Sequence, residues 1–260
     1  MKNSIASFFL SFSHDTIIIP LVILGYIWVD KKIFYNAICL ILFSIIFNFV
    51  LKNIFRVPLS PSINKQGFSF PSGHMQSSVV LYGWLLINTQ NLIYRALIIT
   101  LLICIGSSLI YVGYHNYFDI LGAIFFAVLL IFAYCLLLSR KEKSLELIIF
   151  SCSTILIIYI AVFYGIVEHL WMAYYSIIGL ITSKKVFAKY HTTQDLKNKI
   201  LATVICFVAI FIIKAFFAIK FISYLPDFIR QIQWVIISFC IPFSPFIASV
   251  LNNRLRCNRS

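Results

Sequence analysis

Nine predominantly apolar runs, at 16–29, 34–51, 72–88, 93–113, 117–138, 145–166, 169–182, 200–219 and 233–251, leave this chain few ways to fold. A helix needs ~20 apolar residues to cross ~30 Å of hydrocarbon, and its backbone must satisfy its own hydrogen bonds there. The runs predict an all-α, polytopic transmembrane helix bundle of eight or nine spans. The first and seventh are short for a crossing, which suits a tilted or re-entrant segment. A composition of 62% hydrophobic and 11% charged residues belongs to the same class. In residues 1–13 the apolar stretch Ile5–Leu10 is too short for a signal-peptide core, and no small-residue cleavage site follows it. This segment is expected to be a retained interfacial helix.

A net charge of +13 would suggest nucleic acid in a soluble protein, but here the distribution marks membrane sides. If nine spans alternate, one set of loops collects fourteen basic residues, among them Lys31, Lys32, Arg140, Lys141, Lys184, Lys185 and Arg254. The other set holds six: Lys2, Lys52, Arg56, Lys65, Lys220 and Arg230. The positive-inside rule then puts the amino terminus outside and the carboxyl terminus inside. It excludes nucleic acid as the partner and leaves the bilayer. The seven cysteines show no paired spacing, so they read as small apolar fillers and imply neither disulfides nor a metal.

Against this background, a few polar residues stand out. Pro71-Ser72-Gly73-His74 opens the third run, and His115 and Asp119 flank the start of the fifth. With Lys52 at the end of the second run, all fall on the outer side of the predicted topology. Ser72 is a good helix N-cap and Gly73 lets a ligand approach the backbone, so the first-turn amides make an anion site. His74 in that turn can give a proton to a leaving oxygen. His115 and Asp119 are four apart and share a helical face if the helix begins at or before His115. The carboxylate can then hold the imidazole N–H and leave the other nitrogen to attack. Lys52 can neutralise a phosphate oxygen. Singly, each has a plainer role: start signal, interfacial histidine, helix cap, snorkelling lysine. Their convergence on one face of an apolar protein favours a site for phosphoryl chemistry.

Phe70-Pro71-Ser72-Gly73-His74, with Ser108 seven residues before His115 and Asp119 four after it, resembles the second and third motifs of the type-2 phosphatidic-acid phosphatase superfamily. Lys52 and Pro58 resemble the first. The resemblance implies a phosphatase core like that of the vanadium haloperoxidases in residues 1–140, with the interfacial helix, and additional transmembrane helices in 141–260. It implies a phosphorylated lipid as substrate, a phosphohistidine on His115, orientation by Asp119, leaving-group protonation by His74, and no metal or other cofactor. The chain departs from the pattern at two positions, where Leu59 and Leu109 replace arginines that grip the phosphate. Arg56 is the first candidate to substitute, with Lys65 a weaker one. Three readings stay open: a lipid phosphatase removing phosphate from a phosphorylated lipid or polyprenyl diphosphate; a headgroup phosphotransferase or phosphodiesterase similar to sphingomyelin synthase; and a catalytically impaired lipid-binding homologue.

Overall fold

A computed structural model describes residues 2–59, 67–187, 195–219 and 224–257. All regular structure among them is helical. In chain order the helices are α1 (Lys2–Ser11), α2 (Asp15–Leu24), α3 (Lys31–Phe55), α4 (Gly73–Asn88), α5 (Leu92–Tyr111) and α6 (Tyr117–Lys141). They continue with α7 (Leu145–Phe163), α8 (Glu168–Phe187), α9 (Leu196–Phe217), α10 (Asp227–Arg230) and α11 (Gln233–Cys257). A π-helical turn, Gly25–Val29, extends α2, and a 3₁₀ turn, Glu142–Ser144, joins α6 to α7.

Each apolar run lies on a helix, yet among the described residues five helices are long and apolar enough to cross a membrane, or six if the bent pair Ser4–Ser11 and Asp15–Val29 is one span. The difference from nine has local causes. Helix α4 has only 16 residues and opens on polar ones, while α8 carries Glu168, His169, Lys184 and Lys185 near its ends. The stretch Tyr117–Phe163 counts once although it has 47 residues. At 1.5 Å per residue that is ~70 Å, more than twice the hydrocarbon thickness. These apolar helices are those of an integral membrane protein.

The chain forms two compact units, one of residues up to Val22 with Lys32–Cys152, the other of Ile23–Lys31 with residues from Ser153 onward. One boundary between the units follows Cys152, and the turn around Trp28 joins the later residues. The cause is polar: the Trp28 indole donates to Thr203 Oγ1 at 2.9 Å, and Lys199 Nζ donates to the Trp28 carbonyl at 3.1 Å.

In the first unit α4 packs on α5 and α6, and α1 packs on α5. Its core includes Leu40, Ile46, Leu81, Ile105 and Leu109, all almost fully buried. Lipid tails are as apolar as these side chains, so hydrogen bonds between helices do much to fix their register. Trp84 Nε1 donates to the Ile33 carbonyl at 2.9 Å, and Tyr134 Oη to Asn36 Oδ1 at 2.9 Å. Buried Gln76 on α4 donates to Ser44 Oγ at 3.1 Å and accepts from Asn48 Nδ2 at 2.8 Å, binding α4 to α3 close to the candidate site. In the second unit α8 and α9 pack on α11. A Cβ on Gly179 would lie 2.1 Å from the Val235 carbonyl oxygen, so this close crossing requires glycine.

Candidate active site

Two helix starts meet at the site. Ser72 caps α4, its Oγ accepting from Met75 N at 3.4 Å, and its own N–H donates to the Asp119 carbonyl at 3.1 Å. Ser72 is wholly buried, as expected of a cap fixed by packing on both sides. At Gly73 a Cβ would sit 3.2 Å from Asn48 Oδ1, so its absence lets Asn48 of α3 approach closely. Asn48 Nδ2 also donates to the Pro71 carbonyl at 3.3 Å. The glycine thus serves the α3–α4 joint, and the first-turn amides are positioned through it.

The helix carrying Asp119 begins at Tyr117, after His115, so the two residues do not share a helical face. They meet nonetheless: His115 Nδ1 lies 3.3 Å from Asp119 Oδ2. A capping box supplies the geometry. Asn116 Oδ1 accepts from Asp119 N at 2.9 Å, and Asp119 Oδ2 accepts from Asn116 N at 3.1 Å. The carboxylate is thereby turned back over the helix start, where His115 lies. Gly113, at φ +79°, makes the turn after α5, and the N–H groups of Tyr114 and His115 donate to the Leu109 carbonyl at 3.1 and 3.3 Å.

The second carboxylate oxygen is also used. Asp119 Oδ1 accepts from Ser69 Oγ at 3.1 Å, leaving Asp119 2% exposed and hydrogen-bonded on both oxygens. Lys52 Nζ donates to the Phe68 carbonyl and, at 3.3 Å, to that of Ser69. Ser69 N in turn donates to the Val57 carbonyl at 2.8 Å, clasping the ends of the α3–α4 connection. Lys52 therefore secures the strand that brings Ser69 to Asp119, and its charge reaches His115. Burial lowers the His115 pKa from the usual histidine value; the bond to Asp119 opposes this and the Lys52 charge adds to it. The outcome is a neutral imidazole near pH 7. Facing a carboxylate, it carries its proton on Nδ1, which leaves the Nε2 lone pair for attack.

The other predicted residues lie apart from this cluster or beside it. His74 is exposed on the first turn of α4, and its ring stands edge-to-face with His14, centroids 5.2 Å apart. Arg56 is exposed at φ +50° just past α3, and its Nε donates to the Asn53 carbonyl at 3.0 Å, so that nitrogen turns back on its own helix. Lys65 lies outside the described residues. Leu109, in a family arginine position, is 1% exposed, and Leu59 is half-buried beside Gly67. Ser69, Asn116 and His14 were missed from the sequence. Asn116 had a readable signal, a good capping residue three positions before an acid. Ser69 and His14 had none, because both contacts are long-range. Among the described residues no three His, Cys, Asp or Glu side chains gather as a metal shell.

Residues 32–143 match the sequence model of the PAP2 superfamily. Over this segment the chain is similar to PAP2 proteins. No curated protein and no solved structure matches it. The PAP2 segment runs from the start of α3 to the turn after α6 and contains Lys52, Ser72, Gly73, His74, His115 and Asp119.

Proposed function

We propose that this PAP2 protein is an integral-membrane lipid phosphatase that works through a phosphohistidine on His115. The observation that carries the reading is the His115–Asp119 contact at 3.3 Å, made by a carboxylate whose other oxygen is already held by Ser69. An imidazole fixed by Nδ1 presents Nε2 to an incoming phosphorus atom, and the carboxylate stabilises the charge the ring gains as the N–P bond forms. His74, at the α4 start, gives a proton to the departing lipid oxygen. Water then attacks the phosphohistidine, His74 takes its proton, and phosphate leaves. The basic loops support a site on the outer face, periplasmic in a bacterial inner membrane.

A second reading is favoured by one specific feature. Leucines at both arginine positions, one of them buried, suit a diester, which carries one negative charge where a monoester carries nearly two. Such an enzyme would transfer or release a headgroup. The two are separated by supplying phosphate monoester, diphosphate and diester lipids to right-side-out and inverted vesicles containing the protein. Free phosphate from the first two, in right-side-out vesicles, is the expected result. Headgroup release from the diester alone replaces the phosphatase with the transferase, and turnover only in inverted vesicles reverses the topology.

A further inference from the structure

The turn between α1 and α2 adds a titratable group beside the candidate site, outside the matched PAP2 segment. His14 N donates to the Ser11 carbonyl at 3.1 Å, and the His14 carbonyl accepts from Ile17 and Ile18 N at 3.0 Å, closing α1 and opening α2. The turn is fastened to the helix that bears His74: Tyr82 Oη of α4 donates to the Phe12 carbonyl at 2.8 Å. Ser13, buried beside it, donates to the Leu10 carbonyl at 2.7 Å. From this fixed turn the His14 ring meets the His74 ring at 5.2 Å between centroids and 66° between planes, with both residues exposed.

We propose that His14 and His74 form a two-imidazole clamp for a dianionic phosphoryl group, binding one proton from solvent as the anion binds. The proposal rests on the phosphoryl-transfer reading above. Two imidazolium charges at this separation repel each other, so a doubly protonated pair is disfavoured without an anion to share. A phosphoryl group with nearly two negative charges reverses that preference and makes the doubly protonated pair the stable one. The chain thereby gains at the α4 start the positive charge that Leu59 and Leu109 do not supply. Among the described residues, the charged or titratable groups in the neighbouring turns and helix ends include Asp15 next to His14, Lys52 and Arg56 at the end of α3, and His115 with Asp119. Lys52 is hydrogen-bonded to carbonyls of the Phe68–Ser69 strand, and Asp119 to Ser69, Asn116 and His115. The His14 ring stands edge-to-face with that of His74.

Tungstate tests the clamp, because it is a tetrahedral dianion that holds no proton of its own at neutral pH. Its binding to the full-length protein in detergent is followed by calorimetry in two buffers of different ionisation enthalpy. The wild type is expected to take up close to one proton per tungstate. His14→Gln should bind roughly tenfold more weakly with at least half of the uptake gone, and the double variant with His74→Gln should lose little more, since the two rings act as one unit. His14→Arg should restore affinity to within about threefold while taking up no proton at this position, because its charge is permanent. Wild-type affinity and uptake in His14→Gln overturn the clamp, as does a wild type that binds no tungstate or binds it without proton uptake. The outcome is separate from that for the phosphatase. Tungstate binding with proton uptake but no phosphate release from any lipid keeps the clamp and removes the hydrolase. Lipid hydrolysis unchanged in His14→Gln, with no proton uptake, does the reverse.

Discussion

Asp119→Asn is the most informative substitution, because it removes charge with little change of shape. The amide oxygen can take the place of Oδ2 and still accept from His115 Nδ1 and Asn116 N, while the amide nitrogen can donate to Ser69 Oγ in place of Oδ1. What disappears is the attraction between the carboxylate and the positive charge growing on the ring. At the observed 3.3 Å and an effective dielectric constant of about 20, a full charge pair is worth ~5 kcal/mol. The neutral hydrogen bond that remains returns ~1 kcal/mol, so a fully charged ring would lose ~4 kcal/mol and a partly charged one about half to three-quarters of that. At about 1.4 kcal/mol per decade, the expected fall in kcat is ~30- to 150-fold. The assay is phosphate release from a lipid phosphate in mixed micelles, with melting temperature measured alongside to show an intact fold. A variant within about threefold of wild type, in a protein that His115→Ala inactivates, would refute orientation by Asp119.

Three further outcomes follow from the same geometry. Leu109→Arg should lower stability by ~3–5 kcal/mol, because it puts an unpaired guanidinium where the native side chain is 1% exposed; an unchanged melting temperature would show that the pocket can admit the charge. Gly122→Ala should cost ~1–3 kcal/mol, since its Cβ would stand 2.2 Å from the Phe70 ring, and it should reduce turnover too by pushing the Phe70–Ser72 strand away from Asp119. His115 must be neutral to attack and its pKa is lowered, so the acidic limb of kcat/KM should lie below pH 6.5; Lys52→Gln, by removing one cause of the lowering, should move that limb to higher pH. A limb that stays in place would remove Lys52 from the electrostatics of His115.

The helices were legible because hydrocarbon imposes a length and a composition, and each of the nine runs lies on one. The number of crossings was less legible, since α4 is too short and polar at its start to be counted by length and hydropathy, while α6 and α7 join in one stretch too long for a single crossing. The topology read from the sequence puts Lys52, Ser72, His115 and Asp119 on one side, and Ser72, His115 and Asp119 lie in hydrogen-bond contact. Their connections were not readable. The bond between His115 and Asp119 depends on a capping box at Asn116, while Gly73 proves to accommodate Asn48. Ser69 and His14 reach the site from 50 and 60 positions away from their partners, Asp119 and His74, and no local pattern predicts such pairs.

The central claim is a covalent bond between His115 and phosphorus, and that intermediate can be trapped. The protein is mixed with a ³²P-labelled lipid phosphate, quenched in alkali within milliseconds to seconds, digested and mapped. The account predicts label that is stable to alkali, labile to acid, and confined to the peptide containing His115, and that forms more slowly in His74→Ala, which lacks the group that protonates the leaving oxygen. Label on another residue, or turnover with no phosphohistidine in either protein, would contradict it.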